Sequence, residues 1–215
     1  MKNITVDDFR KVFHDRLPGI QGARGRFAVA VPVVDIDGEA HLLYELRSEK
    51  IDRQPSEVCF PGGEIEPGET ELEAALRETW EEIGIEPGQI EVISQLDVFH
   101  PPQGIVLYPF LVSIRREALD NMKINENEVA ECFTVPVSFL LGKPYEYRHS
   151  VDYKLGEDFR YDKVGLPDGH YNFRQIEHRI ISWEYRGRYI WGMTALITEW
   201  TLRIMELAGY AERSF

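Results

Sequence analysis

FPGGEIEPGETELEAALRETWEEIGI, the stretch from Phe60 to Ile85, carries eight glutamates and one basic side chain, Arg77. Pro61, Gly62 and Gly63 break the chain after an apolar approach, and Glu66-Pro67-Gly68-Glu69 forms a second turn. Residues 60–69 therefore read as a tight glycine-rich loop. Thr70 with Glu73 three residues on is a capping-box pattern that opens a helix, and Gly84 is suited to close it. The stretch predicts a loop, a helix and a loop.

On a helical wheel Leu72, Leu76, Thr79 and Ile83 gather on one side, the expected core face. Glu71, Ala74, Ala75, Glu78, Glu81 and Glu82 gather on the other. Glu78, Glu81 and Glu82 stand at i, i+3 and i+4, a spacing at which like charges cost a helix a few tenths of a kcal/mol per pair, so something should offset them. Hard divalent cations take oxygen ligands, and Mg²⁺ is typically held by one or two carboxylates with waters and substrate phosphates; Mn²⁺ fits the same donors. Ala74 and Ala75 leave room for the loop from Gly62 to Glu69 to fold back, bringing backbone oxygens and Glu69 towards such ions. Arg77, four residues before Glu81, is placed to fix a carboxylate by a charge-assisted pair.

The spacing of Gly63, Glu69, Arg77-Glu78, Glu81-Glu82 and Gly84-Ile85 resembles the Nudix box of the Nudix hydrolases, here residues 63–85. Thr79 stands where that family usually has an aliphatic residue. The resemblance implies an α/β fold, the Nudix α/β/α sandwich, with a mixed central sheet and the loop-helix-loop. It also implies Mg²⁺- or Mn²⁺-dependent hydrolysis of a nucleoside diphosphate joined to another group. By that resemblance Glu78, Glu81 and Glu82 are metal ligands and Glu69 is the first glutamate of the box. Arg77 orients a catalytic carboxylate, and Gly63 is the loop glycine whose carbonyl joins the metal shell. A metal-activated water would attack phosphorus, with the ions lowering its pKa and neutralising the leaving oxygens. Glu81, or Glu128 beyond the box, is the expected base, with Glu126 and Glu131 as alternatives.

Upstream, LRSEKIDRQPSEVCFPGG resembles the segment before the box in the coenzyme A diphosphatase branch. Arg47, Ser48 and Phe60 to Gly63 match it. Asp52 stands where that branch has Arg, and Ser56 where it has Gly. Arg47, Ser48 and Arg53 are the candidate substrate-binding residues, with Lys50 adding to a local positive patch. The implied reaction takes coenzyme A or a derivative to 3',5'-ADP and 4'-phosphopantetheine or its acyl form. The alternatives are an ADP-ribose or nucleotide-sugar diphosphatase, with which Pro101, sixteen residues past the box, agrees, and a non-catalytic nucleotide-sensing Nudix module. Intact box carboxylates argue against the last.

Beyond these motifs, the 215 residues are expected to form a single Nudix hydrolase domain, with an N-terminal helix and loop over 1–22. Phe9, Val12 and Phe13 mark that helix. RFAVAVPVVDI and AHLLYELRS around Asp37-Gly38 predict a hairpin, IEVISQLDVFH and GIVLYPFLVSIRR two more strands, and ECFTVPVSFLLG a strand running into a helix. Residues 145–188 suggest hairpins without a fixed register. Met193, Leu196, Ile197, Trp200, Leu202, Ile204 and Leu207 predict a final helix closed by Gly209, with Trp191 and Trp200 in the core.

A formal charge of −13 repels a phosphate backbone or anionic membrane, so neither extended nucleic acid nor membrane is an expected partner. A small phosphorylated nucleotide is the expected partner, and the oligomeric state is left open. Cys59 and Cys132 have no disulfide or zinc spacing and read as buried thiols, and the polar start of the chain is expected for a cytoplasmic protein.

Overall fold

Strand β1 (Gly25–Ile36) turns back into β2 (Glu39–Arg47) through Asp37 and Gly38, both with positive φ, as a two-residue type I′ hairpin turn requires. The computed structural model describes residues 3–101, 104–151, 159–165 and 176–212.

The two strands do not stay paired. Their register runs from Ile36↔Glu39 to Val33↔Leu42 and then opens into a fork. Short strand β3 (Val58–Cys59) pairs with β2 at Glu45↔Cys59, while β4 (Gly62–Glu64) pairs with β1 at Ala28↔Gly63, so the turn between them fills the fork. The Pro61 carbonyl accepts from the Ala30 amide at 2.9 Å and fixes it there. The stretch expected as loop over 60–69 thus contains a strand.

Helix α2 (Glu71–Ile83) lies over the fork on one face of the sheet. Strands β5 (Ile90–Gln95) and β6 (Ile105–Ile114) extend the sheet beyond β1, with β6 parallel to β1 and every other pairing antiparallel. After a one-turn helix α3 (Arg116–Asp120), β7 (Val129–Pro136) pairs with the other edge of β2 and runs into α4 (Val137–Leu140). The sheet is mixed and seven-stranded.

Its second face is covered by a three-stranded antiparallel sheet and the last helix. These are β8 (Tyr145–Val151), β9 (Ile176–Tyr185), β10 (Arg188–Trp191) and α5 (Gly192–Leu207). The hairpins expected over 145–188 are these strands; residues 152–158 and 166–175 of that stretch, and Pro102 and Gln103, lie outside the described residues. The two-residue alternation of strands sorts the side chains. Ala28, Ala30 and Leu43 point to the α2 side, and Val31, Leu42 and Tyr44 to the α5 side, where Phe60, Ile181, Ile190 and Leu202 join them. The buried Tyr44 hydroxyl meets Thr198 Oγ1 at 2.9 Å, so β2 and α5 are tied without an orphaned phenol. No helix among the described residues is long and apolar enough to cross a membrane.

Three expectations are corrected. Helix α2 buries Ala74, Ala75, Thr79, Glu82 and Ile83, whereas Leu72 and Leu76 are only half-buried. Thr79 and Ile83 of the expected core face are buried as read, but the sheet also takes Ala74, Ala75 and Glu82 of the opposite face, because alanine side chains let the helix axis come close and leave the longer carboxylates reaching into the fork. Trp191 and Trp200 are 44% and 48% exposed and not in the core. Trp191 ends β10, and the Trp200 indole finds its partner outside, donating to Asp97. Cys59 and Cys132 are half-buried, with burial raising the pKa of both thiols. Helix α1 (Val6–Phe13) is present with a Thr5–Asp8 capping box, but its Phe9, Val12 and Phe13 are exposed.

Candidate active site

The site is built on three pieces brought together by the fork: α2, the turn into β4, and the diverging end of β2. Helix α2 starts where the sequence says. Thr70 Oγ1 accepts from the Glu73 amide at 3.2 Å and the Glu73 carboxylate accepts from the Thr70 amide at 2.7 Å. It stops at Gly84, whose φ of 72° is left-handed and whose amide donates to the Trp80 carbonyl.

Arg77 is the hub of the exposed side of the site. Its Nε and Nη2 grip Glu69 at 3.1 and 2.8 Å, Nη1 donates to Glu78 at 2.8 Å and to Glu81 at 3.0 Å, and Nη2 reaches the Glu64 carbonyl at 3.1 Å. All five guanidinium N–H groups are thereby used. The sequence suggested one carboxylate held by Arg77; the structure gives three. Hydrogen bonding to Arg77 lowers the pKa of Glu69, and the same carboxylates raise that of Arg77.

Glu78 and Glu82 point inward from the helix. A Cβ added at Gly63 would stand 2.3 Å from Glu78 Oε1, so the glycine there is the floor on which this carboxylate rests. Glu82 is only 4% exposed, and its Oε2 accepts from the Gly62 amide at 2.8 Å. Gly62 is needed for a related reason, since a Cβ would press within 2.3 Å of the Ala28 carbonyl. Arg47 Nη1 stands 4.0 Å from Glu82 Oε1. Burial raises the pKa of Glu78 and of Glu82, and for Glu82 the next cause is the charge of Glu45.

Glu45 is the residue sequence reasoning missed. It is fully buried in β2, on the α2 side by strand alternation. Its Oε1 accepts from the Cys59 thiol at 3.1 Å, and its Oε2 is buried with no hydrogen-bond partner. Burial is the main cause of its raised pKa, opposed by Cys59 and Arg47 and reinforced by Glu128 and Glu78. A glutamate at an inward position of the apolar run Leu42-Leu43-Tyr44-Glu45-Leu46 was the available signal.

Glu128 is exposed, just before β7, and its charge acts on Glu45 and Glu78. Its carbonyl accepts from the Ser48 amide at 2.8 Å. The Ser48 side chain is buried and engaged with backbone, donating to the Glu126 carbonyl at 3.4 Å. Lys50 Nζ reaches the same carbonyl at 3.3 Å. Arg53 is exposed, and its carbonyl accepts from Arg47 Nε at 3.4 Å. Glu131 is turned away from the fork, gripped by Arg188 of β10 at 2.5 and 2.6 Å, and Glu126 is exposed. His100 Nδ1 donates to the Ile105 carbonyl at 2.6 Å and serves its own loop.

Among the described residues no three histidine, cysteine, aspartate or glutamate side chains are arranged around one ion position, and Arg77 holds three of the carboxylates in its own shell. The donor chemistry nonetheless fits a hard divalent cation. Every donor on this ridge is oxygen, Gly63 leaves a cradle for Glu78, and Glu45 Oε2 is a buried carboxyl oxygen without a hydrogen-bond partner. On the opposite face of the sheet an apolar cleft of about 360 Å³ opens between Leu96, Phe99 and Pro109 and the α5 residues Leu196, Ile197 and Trp200.

Known proteins resemble this chain in sequence. The chain is 37% identical to "Nudix hydrolase 3" of Caenorhabditis elegans over 66% of its own length and 60% of that protein's. It is 35% identical to "Peroxisomal coenzyme A diphosphatase NUDT7" of Mus musculus over 62% and 56%. It thus spans less than two thirds of these two relatives. With "Mitochondrial coenzyme A diphosphatase NUDT8" of Homo sapiens it shares 32% identity over 86% of this chain and 72% of the relative. A family model described as the NUDIX domain matches residues 25–158. That match takes in more than half of the chain, from the forking strands through the helix that overlies them, and on this ground the chain belongs to the Nudix hydrolase family.

Proposed function

We propose that the chain hydrolyses the diphosphate of coenzyme A, or of a coenzyme A derivative, to 3',5'-ADP and 4'-phosphopantetheine or its acyl form, with Mg²⁺ or Mn²⁺ as cofactor. The observation that carries the reading is the inward turn of Glu78 and Glu82 onto the Gly62-Gly63 turn, which sets carboxylates inside a fork and not in bulk solvent. Two relatives whose names specify coenzyme A diphosphatase activity support the substrate class.

Bound divalent cations would supply charge neutralisation on the diphosphate and acidify the attacking water. Glu78 and Glu82, with Glu69, Glu81 and the Gly63 carbonyl, are the groups that would hold them. Arg77 keeps Glu69, Glu78 and Glu81 from splaying apart. Glu81 and Glu128 are carboxylates open to water, and one of them takes the proton as phosphorus is attacked. Arg47, at the end of β2 beside Glu82, brings a positive charge towards a phosphate, and Arg53 stands exposed on the loop that follows.

The test is incubation with coenzyme A, ADP-ribose, NADH and a dinucleoside polyphosphate, with and without Mg²⁺ or Mn²⁺, and identification of products by mass. Metal-dependent appearance of 3',5'-ADP from coenzyme A is expected. Preference for ADP-ribose would replace the substrate and leave the metal chemistry standing, and no turnover of any diphosphate would leave only a nucleotide-sensing module.

A further inference from the structure

We propose that Glu45 is a further carboxylate of the cation site, delivered from the sheet side and partnered with Glu82. This rests on the divalent-cation reading above and extends it to a residue outside the glycine turn and its helix. Strand alternation in β2 turns Leu43 to the α2 side and Tyr44 to the α5 side, so Glu45 faces the inner surface of α2. Its cross-strand neighbours are Cys59 of β3 and Cys132 of β7, and neither carries a positive charge. The Cys59 thiol satisfies Oε1 and nothing satisfies Oε2.

A fully buried carboxyl group with one bare oxygen carries a desolvation cost that a partner would offset. The nearest candidates are inadequate. Arg47 hydrogen-bonds neither carboxylate, standing 4.0 Å from Glu82 and donating to the Arg53 carbonyl. Glu82 and Glu78, on the helix above, add charge of the same sign. A core position with no function would be better filled by an apolar side chain, as at Leu43 two residues earlier. A divalent cation between the helix and the sheet would compensate Glu45 and Glu82 together, and each carboxylate would then contribute to its affinity.

The experiment measures Mn²⁺ binding to the full chain by titration calorimetry and follows thermal melting with and without Mn²⁺. The wild type is compared with Glu45→Gln, Glu45→Thr and Glu82→Gln. Glu45→Gln should weaken Mn²⁺ binding by about 10-fold or more, the loss typical of groups that support a metal site. It should leave the metal-free melting temperature unchanged or raised, and shrink the rise that Mn²⁺ produces. Mn²⁺ affinity equal to wild type in both Glu45 variants, with Glu82→Gln impaired, would overturn the inference and leave the cation reading intact. Failure of both Glu45 variants to fold without metal would also overturn it, since the metal-free protein would gain by losing this unpartnered carboxyl group. A wild type that takes up no Mn²⁺ would overturn the underlying reading itself.

Discussion

Ser56 occupies the left-handed region, with φ of 60°, in the loop that joins β2 to β3. This is the position where the coenzyme A diphosphatase segment has glycine, and the backbone keeps the conformation a glycine would adopt. Its amide donates to the Arg47 carbonyl at 3.2 Å, so the loop that carries Arg47 depends on that shape. A non-glycine residue there costs roughly 1–2 kcal/mol, while glycine gives back about 0.5–1 kcal/mol through the unfolded chain. Ser56→Gly should therefore raise stability by about 0.5–1 kcal/mol, read as a higher thermal midpoint; a lower midpoint would mean that the Ser56 side chain contributes something the strain conceals. Glu82 makes a different residue-scale case. Glu82→Gln keeps an oxygen to accept from the Gly62 amide and removes a buried ionisable group, so the protein should melt at or above the wild-type temperature while losing most turnover and metal affinity. Retained turnover would count against the assignment of this helix.

Helix α2 shows how local and non-local forces divide an element. Its ends follow from local chemistry. Thr70 and Glu73 satisfy each other's amides, and Gly84 supplies the left-handed residue that ends the hydrogen-bond ladder. Thr70→Ala should cost about 1 kcal/mol, measurable by denaturant titration, because it strips one partner of the box from an otherwise unchanged helix. A change within error would show that packing alone fixes the helix start. Its rotation about its own axis is another matter. Leu72 and Leu76 attract a hydropathy reading, but Ala74, Ala75 and Thr79 are what the sheet accepts, and the Thr79 hydroxyl is made tolerable by donating to the Ala75 carbonyl at 2.7 Å. Helix α5 repeats the lesson. Ala195, Thr198 and Thr201 are buried beside the expected Ile197 and Leu202 while Trp200 and Leu207 are exposed, and the Thr198 hydroxyl is satisfied by Tyr44 and that of Thr201 by the Ile197 carbonyl.

Over the whole molecule, two covers close on one sheet, and the second is held to it by an apolar core together with polar ties. Arg188 of β10 grips Glu131 of β7 with two hydrogen bonds and stacks 5.0 Å from the Phe133 ring, and Thr194 of α5 donates to the Val58 carbonyl at 3.2 Å. The Arg188–Glu131 pair is partly exposed, so its electrostatic part is modest, and Arg188→Ala should cost about 1 kcal/mol with the cation–π contact included. Faster amide exchange in β10 and β7 with little change in α2 would be the signature. Loosening that spread equally to α2 would mean that the two covers are not independent. The same tie occupies both Glu131 carboxylate oxygens, so under the proposed reaction Glu81, Glu128 and Glu126 are the carboxylates open to take a proton.

The turn at Asp37-Gly38, the caps of α2, the glycine positions and the spacing of Glu69, Arg77, Glu78, Glu81 and Glu82 depend on neighbours within a few residues. The amino-acid sequence by itself therefore determined them, together with the family. The parting of β1 from β2, the face of α2 that meets the sheet and the burial of Glu45 beside Glu82 depend on strands more than ten residues apart in the chain. Only the tertiary structure decided these, because a side chain's surroundings across a sheet are set by register and approach distance, and neither is written in local pattern.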